Sequence, residues 1–207
     1  METSAKPTLE QTMLDNEYAV FEYFKNHENP TISFLKSNLF LRNSIFDCAN
    51  LMLKTVCENK NIYLFGGNED EDHSDNMVNL FSWMLLDPNP GYYGILNLHE
   101  VSFTFELDCE NNKFQSGDMI VFISTDKPSK SIIDLLSDLK KKGVRVVCLS
   151  NLKWREMGDS WDIIMYVPFS DIPTIQHTYI LIYNIIAHLI EIGVPFVPMI
   201  KEKLKGK

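Results

Sequence analysis

The chain of 207 residues is short of several features that would assign a chemistry directly. It has four cysteines, Cys48, Cys57, Cys109 and Cys148, and none of them stand at CxxC spacing. That excludes a paired-thiolate zinc site and a thioredoxin-type redox pair. Three of the four lie in apolar helix or strand patterns, as expected of reduced core thiols in a cytoplasmic protein. No P-loop, GxGxxG turn, GxSxG elbow or HExxH pair occurs, which removes the common nucleotide, serine-hydrolase and zinc-protease signatures. Positive charge is scarce as well: 19 Lys+Arg stand against 28 Asp+Glu, a formal net charge of -9 with a pI near 5.0. A basic footprint of the kind that tracks a phosphate backbone is missing, so direct nucleic-acid binding is not expected. Long apolar runs are lacking too. The most hydrophobic stretch, Tyr179 to Ile200, is interrupted by Asn184, His188, Glu191 and Pro195, so it reads as a buried or interfacial helix and no membrane association is expected. The opening METSAKPTLE has neither a basic start with an apolar core nor a cleavage site, and no secretory signal is expected.

What is present is apolar: 45% of residues are hydrophobic and 12% aromatic, enough for one substantial core and one domain over 1–207. Its central stretch runs from Gly117 to Asn151. Met119 to Ile123 is a short run of sheet-preferring residues ending at the hydroxyls of Ser124 and Thr125. A loop follows, then a helix with Ile132, Leu135, Leu136 and Leu139 on one face, the turn Lys142-Gly143, and a second apolar run from Val144 to Leu149. Two continuous apolar strands joined by an amphipathic helix imply a parallel sheet covered on both faces. Such sheets bind ligands at loops leaving the carboxyl ends of their strands, which points to Ser124–Ser129.

The remainder extends this α/β pattern. Residues 1–8 read as a disordered lead and 9–58 as a helical hairpin. Its second helix starts at Asn29-Pro30, a favoured cap and first-turn pair, and runs unbroken to about Glu58. The α/β core spans 61–193, followed by a tail over 194–207. Asn61 to Phe65 predicts the first strand, with a turn at Gly66-Gly67-Asn68. An acidic run, Glu69 to Asp72, leads past His73 and Asp75 into a helix ended by Asp87-Pro88-Asn89-Pro90-Gly91. Tyr92 to Leu98 predicts a second strand. Val101 to Leu107 alternates with period two, as a half-exposed edge strand does. Trp161 to Pro168 predicts a further strand, and Pro173 to about Ile192 a last helix that is apolar nearly all round. Trp83, Trp154 and Trp161 read as packing residues, and His188 as a core or interface histidine. His177 and His188 are separated by roughly 16 Å along that helix, too far to share a metal.

In this order the motifs resemble the sugar isomerase (SIS) family, in particular its phosphoheptose isomerase branch, over roughly residues 30 to 193. A helical hairpin precedes a strand ending in Phe65-Gly66-Gly67-Asn68, where the family has a glycine-rich turn. Gly117-Asp118, an apolar strand and Ile123-Ser124-Thr125 are similar to its GD, strand, IST segment. Lys142 to Leu149 is similar to its fourth-strand segment, and Ile172-Pro173-Thr174-Ile175-Gln176 to the start of its last helix. The resemblance implies a three-layer αβα sandwich around a mainly parallel sheet. It also implies a sugar phosphate as ligand, held by hydroxyls and amides at a helix N-terminus. Ser124, Thr125, Ser129 and Lys127 would surround the phosphate, and Gly66, Gly67, Asn68, Gln176 and Asn184 would line the cleft. Asp126 and Pro128 alter that cradle by adding an anion and removing an amide donor.

The same resemblance implies a Glu and a His acting as acid and base, often around a metal. Here Val78 and Ser82 occupy the expected positions on one helix and Asn184 that of a second histidine. Each lost acid or base costs about 10²- to 10⁴-fold. The expectation is therefore a cytoplasmic homo-oligomer, dimer or tetramer, that binds a sugar phosphate and is catalytically impaired, with a regulatory or scaffolding role. No cofactor or metal is expected in that case. The alternative is an active aldose/ketose phosphate isomerase using displaced groups such as His177, His73, Glu71 or Asp75, with a divalent metal. A second alternative is a protein-interaction module without ligand.

Overall fold

In the computed structural model the described residues are 30–66, 98–100, 114–125, 128–151, 161–193 and 195. They form α1 (Pro30–Ser37), α2 (Leu39–Cys57), β1 (Ile62–Gly66), β2 (Leu98–Glu100), β3 (Met119–Ser124), α3 (Lys130–Lys141), β4 (Arg145–Ser150), β5 (Ile163–Tyr166) and α4 (Ile172–Gly193). The sheet has five strands in the order β2-β1-β3-β4-β5, and every pairing is parallel.

Alternation along the strands builds two cores. Ile62, Leu64, Met119, Val121, Ile123, Val147 and Leu149 share one cluster with α1, α2 and α4. Tyr63, Phe65, Ile120, Phe122, Val146 and Cys148 share the other with Leu136 and Leu139 of α3. β3 is buried along its whole length, as a central parallel strand covered on both faces should be. The result is the expected αβα sandwich. Trp161 is a packing residue, its ring stacked 5.9 Å from that of Phe122.

Two expectations change. The helix expected to run unbroken from Pro30 to Glu58 is interrupted at Asn38, whose backbone leaves helical geometry (φ -92, ψ 87) while its side chain caps Leu41 N. Asparagine competes with the helix for backbone groups in this way. The last helix is not apolar nearly all round. Its buried face carries Ile175, Tyr179, Ile182, Tyr183 and Ile186, but Gln176, His177, Ile180, His188 and Glu191 form an exposed outer stripe. His188 is accordingly not a core residue; its Nδ1 lies 3.5 Å from Glu191 Oε2 one turn on. Of the span expected as a second strand, Tyr92 to Leu98, only Leu98 lies among the described residues, and β2 includes it. The first hairpin helix, the alternating Val101–Leu107 segment and the helix after the acidic run lie outside the described residues.

The start of each inner strand is tied down. Asp118 is fully buried, and its two carboxylate oxygens accept the amides of Asn61 (3.0 Å) and Gln115 (2.8 Å). This clamps the starts of β1 and β3. Gly117 beside it has φ +88, where an added Cβ would also meet Lys60 Cε at 3.1 Å. α3 ends in a Schellman motif, with Gly143 N bonded to Lys140 O and Val144 N to Leu139 O. Glycine suits the turn because Gly143 has φ +87. Arg145 donates to Thr55 Oγ1 (2.7 Å) and pairs with Glu58, joining β4 to α2. The basic run that closes α3 is partly engaged, Lys140 with Trp161 O and Asp162, and Lys141 with Asp138.

Candidate functional site

The order β2-β1-β3-β4-β5 dictates where a ligand can sit. The chain leaves β1 toward β2 on one side, and leaves β3 through α3 toward β4 on the other. The crevice at the carboxyl ends of β1 and β3 is therefore the topological switch point, the usual ligand position in open parallel sheets. Gly66, the last residue of β1, stands in register with Ile123, directly before Ser124. The sequence-predicted Gly66 and Ser124-Thr125 are thus brought together. Gly67, Asn68, Lys127, Glu71, His73 and Asp75 lie outside the described residues.

Two helices begin at this edge, and their N-termini differ in charge. α3 is capped by Ser129, a neutral hydroxyl that accepts Ile132 N at 3.3 Å and sits 2.8 Å from Ser131 Oγ. Its first turn contains no acid and opens with Lys130. The first-turn amides of a helix have no partner within the helix, and the helix dipole favours an anion there. A lysine at this end is the reverse of the usual preference. α4 is capped instead by Asp171, whose carboxylate accepts Thr174 N at 3.0 Å. Hydrogen bonding from the Thr174 side chain and amide holds the Asp171 carboxyl below its ordinary range. The carboxylate cap disfavours an anion at α4, and the cap and first turn of α3 carry no such charge.

Ser124 is buried, and its carbonyl accepts the hydroxyl of Tyr179 at 2.9 Å. Tyr179, itself fully buried on α4, thereby fixes the end of β3 from across the core. Gln176 is exposed three residues before it, about 4.5 Å nearer the start of the helix. Asn184 lies further along, about 12 Å from Gln176. Its amide donates to Ile180 O at 2.8 Å, so the helix itself occupies one of its donors. His177 is exposed on the outer stripe. The structure thus joins Gly66, Ser124, Thr125 and the Ser129 cap at one edge.

Reading the sequence did not single out Tyr179 as a hydrogen-bonding residue, nor Asp171, Ser150 and Asn151. Asp171 was recoverable, since Asp followed two residues later by Pro and then by an apolar helix is a start signal. Ser150 and Asn151 carry no such signal. They matter because Ser150 stands in register with Ser124 at the end of the neighbouring strand.

No family model matches the chain. A phosphoheptose isomerase of Thermodesulfovibrio yellowstonii is 26% identical over 183 residues, 83% of this chain and 90% of that protein. One from Sulfurimonas denitrificans is 40% identical over 77 residues, 37% of this chain and 40% of that protein. Among solved structures, a phosphoheptose isomerase from Francisella tularensis superposes with a TM-score of 0.54 at 15% identity, covering 86% of this chain and 94% of that one. An E. coli CFT073 protein in complex with A5P gives 0.53 at 14% identity, covering 88% of each chain. A sequence match across most of one phosphoheptose isomerase, together with a fold shared with solved phosphoheptose isomerases, makes this chain similar to phosphoheptose isomerases of the sugar isomerase (SIS) fold.

Proposed function

We propose that this protein binds a sugar phosphate at the carboxyl ends of β1 and β3, with the phosphate at the N-terminus of α3. The observation that carries the reading is the contrast at that edge: a neutral serine cap and Lys130 at α3, a carboxylate cap at α4. Ser124, Thr125, Ser129 and Lys127 are the phosphate-binding set, with Gly66, Gly67, Asn68 and Gln176 toward the sugar. The phosphoheptose isomerases that the chain resembles and the A5P complex of a structural neighbour support this ligand class. Catalysis is impaired in this reading, because Val78, Ser82 and Asn184 cannot exchange protons where the family has an acid, a base and a further histidine. The role is then regulatory or scaffolding in a cytoplasmic homo-oligomer, and it needs no cofactor. Exposed Leu39, Phe40 and Ile180 on the outer faces of α2 and α4 support self-association. Among the described residues, no helix is long and apolar enough to cross a membrane.

Thermal unfolding with sedoheptulose 7-phosphate, glucose 6-phosphate and inorganic phosphate tests the binding. A ligand at about 100 times its dissociation constant adds about 2.7 kcal/mol of stability, and Ser129→Ala should reduce that gain. Absence of stabilisation by any of the three would end the proposal. Metal-dependent turnover of sedoheptulose 7-phosphate well above background would leave binding intact and replace the impaired reading with the active isomerase.

A further inference from the structure

β4 ends at Ser150, in register with Ser124 of β3, on strands about 4.8 Å apart, so Asn151 and Thr125 are the residues that leave two neighbouring strand ends. Ser150 is fully buried. Asn151 Oδ1 is also buried, and it has no hydrogen-bond partner among the described residues. A buried acceptor without a donor is destabilising, and native proteins retain few of them. The residue as a whole is partly exposed, so the unmet oxygen lies at the rim of the same edge and not deep in the core.

We infer that Asn151 is a specificity-determining residue: its side-chain amide receives a hydroxyl of the bound sugar and so separates sugar phosphates from phosphate alone. The inference rests on the sugar-phosphate reading above and extends the site from β3 to the end of β4. A ligand hydroxyl is the fitting partner because it donates to Oδ1 and, if the amide is turned over, accepts from Nδ2. A fully ionised phosphate group offers only acceptors and cannot satisfy Oδ1, so the comparison with inorganic phosphate is made at a pH above its second ionisation. Because Thr125 leaves the neighbouring strand end, Asn151 stands about one strand spacing from the proposed phosphate site, within the length of a phosphorylated sugar.

The test compares wild type with Asn151→Leu, which keeps the approximate volume and removes the polar atoms. Affinities for sedoheptulose 7-phosphate, glucose 6-phosphate and inorganic phosphate are measured by calorimetry, and stability without ligand by urea unfolding. Sugar-phosphate binding should weaken about tenfold, the size of one lost hydrogen bond, and inorganic phosphate affinity should stay the same. The ligand-free variant should be at least as stable as wild type, since an unmet acceptor has been removed. Asn151→Ala carries the same affinity prediction and serves if the leucine variant does not fold. Unchanged sugar-phosphate affinity in a folded variant overturns the inference and leaves the binding reading standing. A less stable ligand-free leucine variant with equal loss for all three ligands also overturns it, by showing that a water or the protein already satisfies the oxygen. Wild type that binds no sugar phosphate removes both readings.

Discussion

The two edges of the sheet are built from different chemistry. At the amino ends of the strands, charged side chains are consumed internally: Asp118 accepts two amides, Asp162 accepts Val146 N at 2.7 Å, and Arg145 is held by Thr55 and Glu58. At the carboxyl ends of β3 and β4 the described residues are small and uncharged, with Ser124, Thr125, Ser150 and Asn151 in a row and Tyr179 bracing them from α4. The difference separates fastening from binding. Ionised groups satisfied by the backbone lock one edge, and hydroxyls and an amide leave the other able to accept an external anion and polyol.

Substitutions at each edge should therefore move different quantities. The largest effect is expected of Asp118→Ala, which empties a fully buried position and leaves the part-buried amides of Asn61 and Gln115 without their shared acceptor. Stability should fall on the order of 2–4 kcal/mol, read as a lower urea midpoint with the slope unchanged, while the folded fraction keeps its sugar-phosphate affinity. Loss of affinity in the folded fraction would break the division between the edges.

Tyr179→Phe is expected to do the reverse. Packing is kept and one hydrogen bond to a backbone carbonyl is lost, about 1 kcal/mol of stability. Because that carbonyl belongs to the peptide joining Ser124 to Thr125, phosphate affinity should fall as well, which calorimetry with inorganic phosphate would show.

The smallest effect concerns Asp171. Its folded-state pKa lies below the ordinary value of 3.8 because the Thr174 side chain and amide hydrogen-bond to it, so the capping contribution is present above about pH 4 and is lost as pH falls through the lower folded value. Asp171→Asn should flatten the acid limb of the stability profile. At neutral pH it removes the negative charge from the α4 terminus and leaves phosphate binding at α3 unchanged. Tighter phosphate binding in that variant would show that the ligand reaches both helix ends.

Much of the architecture was legible in the chain. The apolar runs at Met119–Ile123 and Val144–Leu149, with the amphipathic helix between them, specify a parallel unit because continuous burial and helical periodicity leave few other arrangements. The break at Asn38 was not legible, since one polar residue with helical neighbours on either side costs little and is decided by its cap bond. The outer stripe of α4 was hidden by Ile172 and Ile180, apolar residues that nonetheless face outward. At the candidate site, Gly66 and the Ser124–Ser129 loop could be named because each ends a predicted element. Tyr179 and Asn151 could not, because their significance depends on what faces them.

By itself, then, the sequence determined the strands β1, β3, β4 and β5, the helix between β3 and β4 and the hydroxyl-bearing end of β3, all of which follow from local periodicity and turn chemistry. Only the tertiary structure decided that β1 and β3 are neighbours with a switch point between them, that Tyr179 reaches Ser124 across 55 positions of chain, and that Asn151 presents an unmet oxygen at the strand end neighbouring that of β3. Those relations depend on strand order and helix docking, which bring distant positions together and which no local pattern encodes.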